Sequence, residues 1–239
     1  MKQDYNFEDN CYDKDFDKVK LLGRYPWVGR NYQNRSYRVL ILGDSHYAVD
    51  NNGNFCPSEY IKFVTDNFST REVINCVIRN IGDGEPTWPM YRNLINTFTS
   101  YTPEVVAFLW SIVSFYNFIQ RPMESIHQKP CSGDKIVGWL CLCYVINILK
   151  PNFCLFLGKR NEEGMNTIES LGGHFTKEED EMSNKTTPIK GTIKTKEGIQ
   201  TRYRIIQHPS YRGYSPTAWY TYLSKKEREL MGQVDRYFK

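Results

Sequence analysis

Four apolar runs in this chain end on residues able to do chemistry. Val39-Leu40-Ile41-Leu42 runs into Gly43-Asp44-Ser45-His46-Tyr47, which sets a carboxylate, a hydroxyl, an imidazole and a phenol on consecutive positions. Ile112-Val113-Ser114-Phe115-Tyr116 closes on the amide of Asn117, and Phe153-Cys154-Leu155-Phe156-Leu157 closes on Gly158-Lys159-Arg160. Tyr203-Arg204-Ile205-Ile206-Gln207 delivers His208-Pro209-Ser210. A carboxylate can hold a water or stabilise a cation, an imidazole can give or take a proton near neutrality, and an amide offers a donor beside an acceptor.

Short apolar runs closed by glycine or polar residues read as buried strands, and between them the pattern is helical. Helices are expected over 18–22, 58–67, 69–81, 89–98, 103–110, 134–149, 161–171 and 216–237, several opening on proline. Strands alternating with helices predict an α/β fold of three layers, α/β/α, around a central, mostly parallel four-stranded sheet. Parallel strands place all four polar clusters on one edge, where α/β proteins bind ligands. Tyr25-Pro26-Trp27-Val28-Gly29 reads as an aromatic plug packed on the domain, and the lysine- and acid-rich stretch 177–200 as a flexible insertion or an exposed hairpin. No repeat or linker divides the chain, so its 239 residues are read as one domain.

Composition narrows the class. A net charge of +4 permits a nucleic-acid patch without demanding one, and 17 tyrosines favour a binding surface. No apolar run is read as long enough to cross a bilayer, and Met1-Lys2-Gln3-Asp4 opens no signal peptide, so a soluble, cytoplasmic monomer is expected. Seven scattered cysteines contain no Cys-x-x-Cys pair, which argues against zinc or an iron–sulfur cluster. Cys141, Cys143 and Cys154 lie in apolar runs and are expected as buried free thiols; no metal or cofactor is expected.

The ordered motifs resemble the uracil-DNA glycosylase superfamily. Gly43-Asp44-Ser45-His46-Tyr47 stands where those enzymes carry the first motif, Tyr116-Asn117 with Arg121-Pro122 where they carry the base-reading Asn, Leu157-Gly158 on the third core strand, and His208-Pro209-Ser210 on the last. Together these span roughly residues 38 to 215. The chain departs from the family at His46, where proline is common, and at Ser45, where the classical uracil branch has its Asp. The acid of this chain directly follows Gly43, as in the thermophilic branch, whose cluster cysteines are unmatched.

The resemblance implies a glycosylase that flips a pyrimidine out of double-stranded DNA, either uracil in repair or a hypermodified base, such as glucosylated hydroxymethylcytosine, in antiviral defence. Asp44 would stabilise the sugar cation and position water, and His208 would donate to the leaving base. Asn117 would read the base edge; Tyr47, Phe55 or Phe118 would stack on it, with Ser45 and His46 beside it. Ser210, Lys159 and Arg160 would hold phosphates, with Tyr211 or Arg212 as the wedge. Tyr47 can also gate the pyrimidine 5-position, which opposes bulky substituents.

Two other readings stay open. Gly43-Asp44-Ser45 is similar to the nucleophile motif of Gly-Asp-Ser-type esterases, with Ser45 attacking, Asn117 in the oxyanion hole and His208 as base. Against it, the position three before His208 holds Ile205 instead of an Asp. A non-catalytic DNA-binding module is the third.

Overall fold

A computed structural model describes residues 7–50, 52–99, 102–158, 162–183 and 185–235 of the chain. Four parallel strands form its centre: β2 (Val39–Gly43), β3 (Val113–Asn117), β4 (Phe153–Leu157) and β8 (Gln200–Ile206), in the order β3-β2-β4-β8. The expected α/β/α layering holds. The sheet is wider than expected, eight strands among the described residues, because short antiparallel pieces extend both sides. On one side β1 (Trp27–Val28) pairs antiparallel with β3, so the aromatic plug is an edge strand with a buried Trp27. On the other, β7 (Ile189–Lys194) pairs with β8 and carries β5 (His174–Phe175) and β6 (Glu178–Glu179). The stretch expected as a flexible or exposed insertion is thus partly woven into the sheet.

The period of two along each strand supplies a core to both faces. Val39, Ile41, Val113, Phe115, Phe153, Leu155 and Ile206 face one helical layer. It is built from α3 (Ser69–Gly82), α4 (Pro89–Phe98), α5 (Pro103–Ile112), α8 (Pro216–Lys226) and α9 (Arg228–Asp235). Leu40, Leu42, Tyr116, Cys154, Phe156 and Ile205 face the other. Here lie α1 (Asp13–Phe16), α6 (Ser132–Leu149) and α7 (Thr167–Ser170). By length and composition α6 can cross a membrane, contrary to the expectation for the sequence, yet half of it is buried in this core. All seven cysteines are free, with Cys141, Cys143 and Cys154 buried. Proline opens α4, α5, α8 and the ninth helix, α2 (Pro57–Thr65), where its missing N–H costs nothing.

Three helix expectations need correction. The first helix lies at Asp13–Phe16, with turns rather than a helix over 18–22. The helix expected over 161–171 shrinks to α7, because Gly164 turns the chain at φ 83° and the Trp139 indole donates to the Glu163 carbonyl at 2.9 Å. The helix expected over 216–237 breaks at Glu227, whose backbone leaves the helical region so that its carboxylate can enter the core; residues 236 and 237 lie outside the described ones.

Glu227 enters to meet Arg204. The Arg204 Nε lies 2.6 Å from Glu227, and its guanidinium also pairs with Asp180 and reaches the Tyr222 hydroxyl at 2.8 Å. This buried group joins β8, the β6–β7 segment and the α8–α9 break. Burial pushes the Asp180 carboxyl up, but the Glu181 backbone N–H, the Tyr222 hydroxyl and the Arg204 guanidinium together hold it down, at about 2. Removing one partner leaves buried charge uncompensated, which typically costs about 3–5 kcal/mol. Arg204→Met is therefore expected to lower the unfolding free energy obtained from urea denaturation by an amount in that range; a change within error would show that the network contributes nothing.

Candidate active site

β2 and β3 stay joined beyond the sheet. Gly43 faces Asn117 in the last rung. The Phe118 amide then donates to the Gly43 carbonyl at 3.0 Å, and the Ile119 amide to the Asp44 carbonyl at 2.9 Å. Further out, the Met123 amide donates to the His46 carbonyl at 2.7 Å, and the Ala48 amide to the Met123 carbonyl at 2.8 Å. The loop carrying Asp44 and the loop following Asn117 are therefore one hydrogen-bonded ribbon.

Close approach explains Gly43. A β-carbon there would collide with the Asn117 carboxamide oxygen and the Phe115 ring, so the amide lies over the Gly43 backbone. Asn117 is only 7% exposed. Its backbone carbonyl accepts from Gln120 at 2.9 Å, while among the described residues no protein group hydrogen-bonds its carboxamide. That amide is free to offer one donor and one acceptor to a ligand edge carrying the complementary pair.

His208 arrives from β8, two strands from β2 and so about 10 Å away across the sheet. Between them β4 runs out at Gly158, a residue without a side chain at φ 114°. The His208 Nδ1 accepts the Ser210 N–H at 3.2 Å and lies 2.7 Å from the Ser210 hydroxyl. An accepting Nδ1 assigns the ring proton to Nε2. Burial pushes the imidazole pKa down to about 4, so at neutral pH the ring is uncharged and presents Nε2–H as a donor.

The loop after His208 is anchored from α4. The Asn93 amide donates to the Pro209 carbonyl at 2.8 Å, and the Thr97 and Tyr214 hydroxyls lie 2.6 Å apart. Backbone bonds from the Tyr211 amide to His208 and from the Tyr214 amide to Tyr211 curl the intervening residues, leaving Tyr211 61% exposed and Arg212 exposed beside it. Tyr211 and Arg212, the residues expected as a wedge, thus project from an anchored loop. Asn93 and Thr97 escape a motif reading. Their signal is two polar residues four apart on one helix face.

Other expected site residues divide. Tyr47 bridges to Met123 and is half-buried; Phe55 is 46% exposed, edge-on to Tyr60. Phe118 cannot stack on a base: it is fully buried between Trp139 and Phe156. His46 is likewise not a base reader in this arrangement. It is 6% exposed, lies 3.0 Å from the Thr70 hydroxyl on α3 and packs on the Phe63 ring of α2. Burial first, and then the Arg24 charge, lower its pKa to about 3. The Ser45 hydroxyl is buried without a hydrogen-bond partner, and His208 holds Ser210 instead, so Ser45 has no base to activate it. Ser210, expected on phosphate, is engaged with His208. Lys159 and Arg160 lie outside the described residues.

The fold and this edge define an α/β protein with an acid, an amide and a neutral imidazole on strand ends at one edge of a parallel sheet. No protein-family model matches the chain, and no curated protein matches its sequence.

Two predictions follow from this geometry. Gly43→Ala must displace the Asn117 amide, so it should lose stability by about 1–3 kcal/mol, from strain of the overpacking kind; an unchanged melting curve would contradict that close approach. His46 and His208 are neutral in the fold well below the ordinary imidazole value of 6.5. Between about pH 6.5 and 4 the unfolded chain therefore binds protons that the folded chain refuses. Stability should fall as pH falls through that window, at up to about 1.4 kcal/mol per pH unit for each histidine. Urea midpoints should drop from pH 7 to pH 5, and less steeply in His46→Gln; equal slopes would place His46 outside the account.

Proposed function

We propose that this chain is a DNA glycosylase, a divergent member of the uracil-DNA glycosylase superfamily, which hydrolyses the N-glycosidic bond of a modified pyrimidine and leaves an abasic site. The observation that carries this reading is that the parallel strands β2, β3 and β8 end at one edge of the sheet on Asp44, Asn117 and a neutral, Nε2-protonated His208. Breaking the bond from C1′ to the base nitrogen leaves positive charge on the sugar and the electron pair on the base. Asp44 stabilises the first and orients the water that attacks C1′; His208 donates a hydrogen bond to the base oxygen that takes up the second. A neutral imidazole suits that task because it donates without being driven to release a full proton.

The Asn117 amide reads the complementary edge of the flipped base, and Tyr47 or Phe55 supplies a stacking face. Tyr211 and Arg212 fill the space the base leaves, while the mild positive charge holds phosphates. The substrate is double-stranded DNA carrying uracil or a hypermodified pyrimidine such as glucosylated hydroxymethylcytosine, handled in the cytoplasm by a monomer without a cofactor. The esterase reading is not favoured, given the engaged His208 and the buried Ser45 hydroxyl.

The test uses duplexes with a single uracil or a single glucosylated hydroxymethylcytosine, incubated with the protein and then treated with alkali. Strand breaks at the modified position are expected with one of them, reduced about 10²–10⁴-fold in Asp44→Asn and little changed in Ser45→Ala. Intact DNA in both cases, with release of nitrophenol from an acyl ester that Ser45→Ala abolishes, would overturn the reading. Intact DNA bound tightly but never cut would instead identify a binding module.

A further inference from the structure

Residues 21–24 precede every motif, yet one of them reaches two separate segments beside the site. Arg24 is 4% exposed. Its guanidinium donates to the Gln120 carbonyl, in the loop after Asn117, and to the Phe63 carbonyl, on α2. It also lies over the Phe63 ring, 5.5 Å from the centroid. The other side of the connection is made by Gln120, whose side chain accepts the Gly23 amide at 3.1 Å and donates to the Asn117 carbonyl at 2.9 Å. Phe63 in turn packs on His46, two residues beyond Asp44.

We infer that Arg24 is a positioning residue, a clamp that holds the Asp44 loop and the Asn117 loop in register through Phe63–His46 on one side and Gln120 on the other.

Three features support a clamp over ordinary packing. No carboxylate among the described residues forms a salt bridge with Arg24, although the Asp66 charge acts on it; the buried cation lies against the Gln120 carbonyl on one segment and the Phe63 carbonyl and ring on another. Second, α2 has no buried residue and leaves cavities of about 350 and 550 Å³ on its two flanks, both lined by Phe63. Arg24 and His46 grip that ring, alongside the Lys62–Glu72 ion pair at 3.0 Å and the Phe55–Tyr60 ring contact. Third, a planar fork can serve two carbonyls in fixed directions and a lysine ammonium cannot.

The inference rests on the glycosylase reading for its catalytic consequence, but the clamp is testable without it. Arg24→Met and Arg24→Lys are compared with the parent by hydrogen exchange, by NMR titration of His46 and by the alkali cleavage assay. The expected result for Arg24→Met is faster exchange in both 61–66 and 120–123, the central strands unchanged, and a His46 midpoint moved upward. That histidine faces Thr70, Phe63 and Arg24, and Arg24 is the charged group among them. Arg24→Lys should leave His46 near its parent value while both loops still exchange faster. Cleavage should fall about 10-fold or more in kcat in both variants, with KM changing less. Faster exchange confined to 21–25, with 61–66 and 120–123 at parent rates, would overturn the clamp. If the parent cuts neither DNA, the function fails while the exchange and titration arms still decide the clamp.

Discussion

The structure depends on the parallel pairing of β2 with β3 and on its continuation past the sheet. Backbone hydrogen bonds from Phe118 and Ile119 to Gly43 and Asp44 fix two loops that would otherwise be free to diverge. Each such bond contributes only about 1 kcal/mol to stability, but together they remove the freedom of both loops at once. In the proposed reaction a carboxylate and an amide act on one ligand, and for that they need mutual order more than burial. Gly43 belongs to the same constraint, since any side chain there would push the Asn117 amide out of place.

Around this ribbon the remaining elements act as supports. β8 brings His208 in the same direction because it is parallel to β4, and Ser210 and α4 then hold the ring and its loop. The Arg204–Glu227–Asp180 group ties the far side of β8 to the C-terminal helices and to the antiparallel extension. The polar insertion is thus a brace for the strand that carries the imidazole. Electrostatics follows packing: both histidines of the motif loops are uncharged because they are enclosed, one as a donor at the edge and one behind it.

Much of this was legible in the sequence, for physical reasons. Buried parallel strands are nearly continuous apolar runs, so β2, β3 and β4 stand out, and their shared direction predicts that Asp44, Asn117 and His208 meet on one edge. Helix starts marked by proline were also readable, as at Pro89 and Pro216. Side-chain direction was not. His46 and Phe118 sit in the right motifs but turn into the core, because a loop residue's direction is set by the partner that packs on it, here Phe63 and Trp139. Nor could periodicity reveal that Glu227 would break a helix to reach Arg204, twenty-three residues earlier. The antiparallel strand β7 hid in a lysine-rich stretch with few apolar residues to mark its period of two.

The central claim is that the protein separates a base from its sugar, and the most direct measurement is mass spectrometry of the small molecules released from DNA containing modified pyrimidines. The account predicts free base, equimolar with abasic sites in the polymer and absent with Asp44→Asn. Release of nucleosides or nucleotides, or of no small molecule from any modified DNA, would contradict it.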